Sequence, residues 1–407
     1  MRLILSFLLV LLFMGACREE YALPTEKALS SALVVEGSIL KGDTTVIKLS
    51  RVLAVADNDL HPEVGATISV EGDDNSRYTL SESENGIYKV APLELNASTK
   101  YRLTISAGGQ NYESEWTTLI NTANIDSLYW ERNNGVQIYI KSSGSSDDSR
   151  YYKWDYEEVW EFYSLFESHA YYNYIPYTSG HDVIVCDSPE VNGIKYENCI
   201  AAYIWRGYVF NDSMYHCWKY DRNTSIAIGS TTALSGNVIQ SPIKVIEDNG
   251  FELSNLYTIL VKQTGLSREA HDFYKLLKAN SEGMGSIFDA QPSELKTNIR
   301  CISDPGEIVI GFVEASTVKM KRLFISKHEV PDLFYYPYYA CAATLDTISD
   351  VSPYTTNFML TTGRVPVSIV EMENEPPHRV SWYTVADETC VDCRLRGVHK
   401  KPDFWPQ

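Results

Sequence analysis

A run of alternating side chains near the middle of the chain constrains the fold more than any other feature. Residues 151–162 place aromatic side chains at most of the even positions, with charged residues between them. The aromatic residues are Tyr152, Trp154, Tyr156, Trp160 and Phe162, and the charged ones are Lys153, Asp155, Glu157 and Glu161. Successive side chains of a strand point to opposite faces, so the pattern predicts one dry and one wet face, as in an antiparallel sheet. An aromatic stripe can also bind a ligand, but core packing is its commoner role and the one we expect.

The N-terminal third of the chain reads as a series of short strands. Residues 44–52 alternate, Tyr101, Leu103 and Ile105 share one face, and residues 107–110 carry a hairpin signal. Several strands at this spacing predict an immunoglobulin-like or transthyretin-like β-sandwich over residues 31–122.

The rest of the chain, residues 123–407, is predicted to be a larger antiparallel β-rich domain with one or two inserted helices. Residues 257–263 form a buried strand, and Ser267 offers an N-cap to a helix that stops near Gly283. Strands return at residues 307–315 and 321–325. The predicted fold class is therefore mainly β.

The N-terminus carries an export signal. Met1 and Arg2 precede an apolar run that ends at Met14, and Gly15 and Ala16 precede Cys17. The run is shorter than the roughly 20 residues that a membrane-spanning helix needs. Small residues directly before a cysteine predict a lipoprotein signal at residues 1–16, lipid on Cys17 and a tether over residues 17–30. An ordinary signal peptide that happens to contain a cysteine is the alternative.

Composition limits the partners. The net charge of −18 argues against nucleic acid and anionic lipid, because a strongly acidic chain repels both. Hydrophobic residues make up 44% of the chain, which is enough for substantial cores. Beyond residue 16 no apolar run approaches membrane-spanning length, so the lipid is the expected membrane attachment.

Two tyrosine clusters break the alternation and contain proline, so we interpret them as loops or irregular edges. Their candidate contact residues are Tyr171, Tyr172, Tyr174, Tyr177, Tyr335, Tyr336, Tyr338 and Tyr339. Exposed tyrosines suit the recognition of sugars, peptides or protein partners. Packing of these loops onto the domain is an equal alternative.

Seven cysteines remain if Cys17 carries lipid. They are Cys186, Cys199, Cys217, Cys301, Cys341, Cys390 and Cys393. An exported chain is expected to form disulfides, and an odd number leaves one thiol free or buried. Cys390-x-x-Cys393 is open to three interpretations. A redox site requires a strand leading into a helix, which the sequence does not show, and a zinc site requires a second cysteine pair of similar spacing, which is absent from the sequence. Structural disulfides are therefore the favoured interpretation.

The motif search finds no signature of catalysis. The chain contains no His-Glu-x-x-His and no Gly-x-Ser-x-Gly, and its eight histidines show no metal-ligand spacing. We therefore expect no enzyme activity, no cofactor and no metal, although two catalytic acids distant in sequence escape such a search.

An ordered set of short motifs runs through the second half of the chain. The motifs are Cys217-Trp218, residues 257–263 before Leu266-Ser267, residues 285–289 with Gln291-Pro292, Asn298-Ile299, residues 305–307, residues 310–312, Cys390-x-x-Cys393 and residues 402–405. In this order they resemble one known family, the Bacteroidota lipoproteins catalogued as domain of unknown function number 4249. The resemblance covers roughly residues 25–407. Arg18, Glu19 and Glu20 resemble the acidic signal that sends lipoproteins of this phylum to the cell surface.

The resemblance implies a lipid-anchored outer-membrane protein, exposed at the cell surface and commonly encoded beside a TonB-dependent transporter. It implies no catalytic residues. The expected function is a ligand-binding or capping accessory of such a barrel in nutrient uptake, and the alternative is a structural or adhesive surface protein.

Overall fold

The structure is a computed structural model in which a mainly β chain forms two compact units. It describes residues 32–52, 61–176, 190–191, 194–195, 199–206, 212–248, 250–282, 295–332, 341, 344–349, 359, 362–372 and 380–406. Unit 1 holds the chain up to residue 122 together with residues 145–152 and 264–318, and unit 2 holds residues 123–144, 153–263 and the chain from residue 319 onward. The predicted mainly β class with antiparallel sheets is confirmed.

The elements are named in chain order. Strands before residue 122 are β1 (Leu33–Gly37), β2 (Ile39–Lys41), β3 (Thr45–Arg51), β4 (His61–Pro62), β5 (Thr67–Gly72), β6 (Arg77–Glu84), β7 (Ile87–Val90), β8 (Lys100–Ala107), β9 (Gln110–Ser114) and β10 (Thr117–Thr118). Later strands are β11 (Asn124–Arg132), β12 (Val136–Ser143), β13 (Tyr151–Tyr163), β14 (Ala170–Pro176), β15 (Glu190–Val191), β16 (Ile194–Lys195), β17 (Cys199–Arg206), β18 (His216–Arg222), β19 (Ala227–Ser230), β20 (Val238–Ile246), β21 (Leu256–Leu266), β22 (Ile299–Cys301), β23 (Val309–Gly311), β24 (Ala315–Ser326), β25 (Asp346–Ile348), β26 (Arg364–Met372) and β27 (Val380–Asp387). The α-helices are α1 (Asp212–Tyr215), α2 (Arg268–Glu282) and α3 (Glu388–Val391), and the 3-10 turns are Phe251–Leu253, Lys327–Glu329 and Cys393–Leu395.

Unit 1 is built on one long sheet with the strand order β22-β9-β8-β5-β6-β7-β3-β1-β23. The strands alternate as predicted, and Tyr101, Leu103 and Ile105 all point into the core. Both end strands come from a distant part of the chain, residues 299–311, which pair with β9 on one side and with β1 on the other. The two open edges of the sheet formed by residues 33–114 are therefore each covered by a strand that lies about 200 or more residues later in the chain.

The two covering strands are joined to each other by side chains. The Asn298 amide accepts from the main-chain N–H of Val313 at 2.9 Å and donates to its carbonyl at 2.8 Å. Thr297 donates to the carbonyl of Gly311 at 2.6 Å. Gly311 has a φ of +157°, and a Cβ there would lie 2.4 Å from the carbonyl oxygen of Val35, so the site requires glycine. These bonds tie the segment just before β22 to the end of β23, so the two end strands are held in place by the same short stretch of chain.

An arginine connects this closing segment to the rest of unit 1. Arg51 donates to Glu63 and to Glu307, each at 2.8 Å, and to the Tyr112 hydroxyl at 3.0 Å. Tyr112 donates to Glu307 at 2.6 Å. Burial, and then the bond to Glu307, raises the pKa of Tyr112 to about 12. The phenol therefore stays protonated and remains a donor to Glu307.

Unit 2 contains several sheets, and its central one runs β18-β13-β21-β24. Strand β19 also pairs with β13, and the other strands of unit 2 form the sheets β11-β12-β20, β25-β27-β26, β14-β17 and β15-β16. The predicted aromatic stripe on β13 is core, because Tyr152, Trp154, Tyr156, Trp160 and Phe162 are all buried. Glu158 lies on the same face and is also buried, which the sequence pattern did not indicate.

Helix α2 in unit 1 begins and ends where the sequence predicted. The Ser267 hydroxyl accepts from the main-chain N–H of Ala270 at 3.0 Å, which is the expected N-cap bond. The carboxylate of Glu314 accepts from the N–H of Ser267 at 3.0 Å, so a second acceptor satisfies the start of the helix.

The structure decides one open interpretation and corrects one predicted strand. Residues 170–176, interpreted as a loop or an irregular edge, form β14 and pair antiparallel with β17, which fits the second interpretation. The pairing register shifts between Asn173 and Tyr174, and this irregularity explains why the side chains do not alternate cleanly. The predicted strand 307–315 is shorter than expected, because β23 ends at Gly311 and the next strand begins only at Ala315.

Candidate functional site

The structure describes the side chains of only some of the predicted site residues. Cys17, Arg18, Glu19 and Glu20 lie outside the described residues, and so do Tyr177, Tyr335, Tyr336, Tyr338, Tyr339 and Cys186. Tyr171, Tyr172 and Tyr174 lie on β14 and Cys199 begins β17, but their side chains lie outside the described part. The tyrosine clusters therefore remain predictions as contact sites.

Four of the predicted disulfide cysteines are bonded. Cys217 pairs with Cys393 and Cys341 pairs with Cys390, so the expectation of structural disulfides is confirmed for these residues. Cys301 is not bonded and is a buried free thiol. The statement that the Cys390-x-x-Cys393 pair lacks a strand-to-helix context was wrong, because β27 leads directly into α3. Each cysteine nevertheless bonds to a distant partner and not to the other, which is a structural arrangement.

A row of aromatic side chains lies on the face of β13 and β18 opposite the core stripe. We call it the aromatic edge and define it by Tyr163, His216, Trp218, Tyr220, Phe404 and Trp405. The strands pair with Tyr163 opposite His216 and Val159 opposite Tyr220, which puts these residues on one face. Three members are substantially exposed, Tyr163 at 38%, Tyr220 at 50% and Phe404 at 43%.

The aromatic rings form a continuous series of contacts. The ring of His216 lies 4.5 Å from that of Tyr163 and 4.3 Å from that of Trp218, measured between centroids. Trp218 meets Trp405 edge-on at 6.3 Å, and Trp405 lies 6.4 Å from Phe404. Each such pair contributes about 0.5–1.5 kcal/mol beyond its buried area. The exposed rings of Tyr163 and Phe404 therefore each pack against another ring of the series.

A carboxylate lies within this series. Glu161 approaches the Nε2 atom of His216 to 2.6 Å with one oxygen, and its other oxygen accepts from the Asn255 amide. The Ser254 hydroxyl donates to the main-chain carbonyl of Glu161 at 3.1 Å. These bonds hold the Glu161 carboxylate beside the imidazole ring of His216, which stacks against Tyr163.

The C-terminal tail completes the aromatic edge. Val398 exchanges two main-chain hydrogen bonds of 2.8 Å with Trp218. Trp405 is buried against Val159 and Trp218, and the guanidinium of Arg322 lies 3.8 Å from the ring centre of Phe404. The Cys217–Cys393 bond joins the tail covalently to β18.

The aromatic edge carries positive charge in an acidic protein. Residues 216–222 and 392–404 contain six formal cations, namely Lys219, Arg222, Arg394, Arg396, Lys400 and Lys401. They contain three carboxylates, Asp221, Asp392 and Asp403, and Arg394 donates to Asp392. Six cations less these three carboxylates and Glu161 leave a formal charge of +2, whereas the whole chain has a net charge of −18.

A buried charged group forms a second cluster in unit 2. Glu158, 2% exposed, accepts from the Tyr257 hydroxyl at 2.5 Å and from the Lys244 ammonium at 3.1 Å. Burial raises the pKa of Glu158 above its ordinary value. Both carboxylate oxygens have donors inside the protein, so we interpret the cluster as a satisfied part of the core.

Within the described ranges, no three or more His, Cys, Asp or Glu residues are grouped so as to hold a metal ion. Among the same residues, no helix combines the length and the apolar character that crossing a membrane requires.

Sequence reasoning missed the aromatic edge because its members come from three separate segments. Trp218, Phe404 and Trp405 were noticed only within family motifs, and Tyr163 and Tyr220 were not singled out. One signal was available, since residues 394–401 contain four cations and no carboxylate.

Comparison with known proteins identifies a family. The family model described as "Domain of unknown function (DUF4249)" matches residues 18–322, so the tail that completes the aromatic edge lies beyond the match. No curated protein matches the chain.

Three solved structures share weak similarity. A DUF4785 family protein from Legionella pneumophila is 10% identical with a TM-score of 0.16, and the match covers 56% of this chain and about half, 51%, of that one. The chicken interferon gamma receptor alpha chain is 10% identical with a TM-score of 0.14, covering 58% and 90%. The B domain of a biofilm-associated protein is 7% identical with a TM-score of 0.15, covering 74% and 86%. At such TM-scores none of the three bears on the fold or the function.

Proposed function

We infer a function from the premise that the chain belongs to the DUF4249 family, whose description names no activity. The protein acts at the outer membrane of a Bacteroidota cell as a surface-exposed lipoprotein. There it serves as a ligand-binding or capping accessory of a TonB-dependent transporter in nutrient uptake. Its work is contact with a ligand or partner and not catalysis.

The observation that carries this proposal is the aromatic edge. Tyr163, Tyr220 and Phe404 present large rings to solvent. The ring of Tyr163 stacks on His216 and that of Phe404 lies against Trp405, and these contacts restrict the motion of both. Rigid aromatic side chains give contact area at low entropic cost, which favours recognition. Cations beside these rings add electrostatic selection of the partner.

With a lipid on Cys17, a weak contact between the protein and the barrel is sufficient for the accessory role. Confinement to the membrane plane raises the effective concentration of the protein near a barrel, so occupancy does not require a tight interface. The Gly15-Ala16-Cys17 sequence supports this anchor.

Affinity purification from detergent-solubilised outer membranes tests the proposal. We expect a TonB-dependent barrel to co-purify with the native protein, and metabolic palmitate to label it. Cys17→Ser should lose both the label and the membrane fraction. A labelled protein that repeatedly purifies without a barrel would count against the accessory role.

Growth on single nutrients separates the accessory from an adhesive surface protein. A deletion strain should lose growth on at least one nutrient if the protein serves uptake. Normal growth on every nutrient, combined with reduced attachment to surfaces, would favour the adhesive alternative.

A further inference from the structure

The N-terminal part of the chain enters the sheet of unit 1 at one end. Ala32 is the first described residue, and its carbonyl accepts from the N–H of Val52 at 3.1 Å. Strand β1 follows, with Leu33 opposite Arg51 on one side and Val309 on the other. We call this surface the entry end and define it by Ala32 and the connections 63–66, 84–86, 108–109 and 302–308, which meet there.

Exposed apolar side chains of unit 1 concentrate at the entry end. In the part of unit 1 that the structure describes, four large hydrophobic residues are substantially exposed. Three of them lie here, Val64 at 57%, Ile302 at 48% and Ile308 at 37%. The fourth, Trp116, precedes β10, which pairs with the first residues of β8 at the opposite end. Single exposed apolar residues are common, but several at one end indicate an interaction surface.

The connections that carry these side chains are held in place. Glu63 and Glu307 both accept from Arg51 at 2.8 Å, and each directly precedes one of the apolar residues. The N–H of Ile302 donates to the carbonyl of Asn111 at 2.8 Å, which joins the third connection to the start of β9. The apolar surface is therefore presented by a fixed framework.

Carboxylates border this apolar surface. Glu82, Glu84 and Asp304 are exposed, and Glu82 accepts from the N–H of Gly65 at 3.0 Å. Lys89 lies 3.9 Å from Glu84 and offsets one of the three charges. The border therefore repels anionic lipid and suits headgroups that carry an ammonium group.

The chain before Ala32 indicates what covers this surface. Residues 18–31 connect it to Cys17, and a chain of that length reaches at most about 50 Å. A lipid on Cys17 would therefore hold a bilayer within reach of the entry end. Three aliphatic side chains bind a bilayer only weakly, and confinement by the anchor makes such a contact effective.

We propose that the entry end lies against the bilayer that holds the lipid on Cys17, with Val64, Ile302 and Ile308 inserted at the boundary between headgroups and acyl chains. The surface that fits is zwitterionic, because its ammonium groups meet the bordering carboxylates while its acyl chains accept the apolar side chains. This rests on the proposed function, since it requires the anchor. The contact restricts the rotation of unit 1 about its tether.

Hydrogen–deuterium exchange on nanodiscs tests the contact. The probe is the mature chain from Arg18 with an N-terminal histidine tag, held on phosphatidylcholine discs by a nickel-chelating lipid. Compared with the same chain free in solution, we expect lower deuterium uptake in residues 63–66 and 302–308. Residues 73–76 and 91–99, at the opposite end of the sheet, should be unchanged. Adding phosphatidylglycerol to the discs should reduce the protection at low salt.

Variants identify the side chains that make the contact. Val64→Ser combined with Ile302→Ser and Ile308→Ser removes the apolar surface without changing the charge, and it should abolish the protection. Trp116→Ser is the matched control at the opposite end and should retain it. Thermal melts of the free proteins confirm that both variants are folded.

The outcomes separate this proposal from the proposed function. Equal uptake on and off the discs, or protection that survives the triple variant, would overturn the membrane contact. Protection that appears only when a barrel is present would also overturn it, because the surface would then belong to a protein partner. A native protein without a palmitate label would remove the proposed function and leave the protection on the discs standing. A labelled protein that co-purifies with a barrel but shows no protection would remove the membrane contact alone.

Discussion

At the scale of single residues, Trp405 holds the C-terminal tail against unit 2. Its ring packs on Val159, Trp218 and Phe324, and only 6% of the residue remains exposed. Its neighbour Phe404 is 43% exposed and contacts mainly Arg322. Adjacent aromatic residues therefore have different roles, one in stability and one at the surface.

Trp405→Ala should lower the free energy of unfolding by about 3–5 kcal/mol, because it leaves a cavity beneath the aromatic edge. Phe404→Ala is the matched control and should cost about 1 kcal/mol or less. Urea unfolding of the two variants makes the comparison. Similar losses in both would show that the tail is not anchored through Trp405.

Glu314 is the second residue whose environment predicts a measurable effect. Burial raises the pKa of its carboxyl, and the N–H of Ser267 opposes the shift without cancelling it. A carboxyl with a raised pKa binds more protons in the folded state than in the unfolded one. Its contribution to stability is therefore present at low pH and is lost as pH rises through the folded pKa.

Glu314→Gln should consequently gain stability relative to the native protein as pH rises from about 4 to about 7. Melting temperatures of both proteins across this range test the sign. A difference that is constant with pH would contradict the assigned shift.

At the scale of elements, the tail is secured to β18 by three kinds of interaction. These are the Trp218–Val398 bridge, the packing of Trp405 and the Cys217–Cys393 bond. The disulfide spans 176 residues, whereas Cys341–Cys390 spans 49. A longer closed loop removes more entropy from the unfolded chain, so the first bond should contribute more.

Replacing Cys217 and Cys393 by serine should cost about 2–5 kcal/mol in the free energy of unfolding. The corresponding replacement of Cys341 and Cys390 is the control, and loop length alone makes its cost about 1 kcal/mol smaller. Denaturant titration of both variants decides the order. A larger loss from the shorter loop would mean that packing, and not chain entropy, dominates.

At the scale of the whole molecule, unit 1 depends on residues distant in sequence. Residues 299–311 supply both end strands of its sheet, and Arg51 bonds to Glu307 within the same segment. Ile299 and Val309 also enter the core. The sandwich predicted for residues 31–122 is therefore incomplete without them.

A fragment of residues 31–122 should not unfold cooperatively and should aggregate, because two strand edges and part of the core are exposed. Joining residues 295–318 to it through a flexible linker should restore a single thermal transition. Calorimetry and light scattering of the two fragments test this. Cooperative melting of the short fragment would show that the closing strands are dispensable.

Local and long-range features also differ in how well the sequence alone predicts them. It determined the strand character of residues 151–162, the burial of their aromatic face and the cap of α2, because alternation and capping are local properties of the chain. It did not indicate that Glu158 shares the buried face, or that residues 170–176 form a strand with a shifted register.

Only the tertiary structure decided the closure of unit 1, the disulfide partners and the aromatic edge. Each depends on which distant segments meet, and no local periodicity records that choice. Trp218 and Trp405 come into contact because β18 ends a sheet and the tail returns to it. The physical reason is that strand pairing is driven by long-range burial and hydrogen bonding, which many alternative registers of the same sequence satisfy locally.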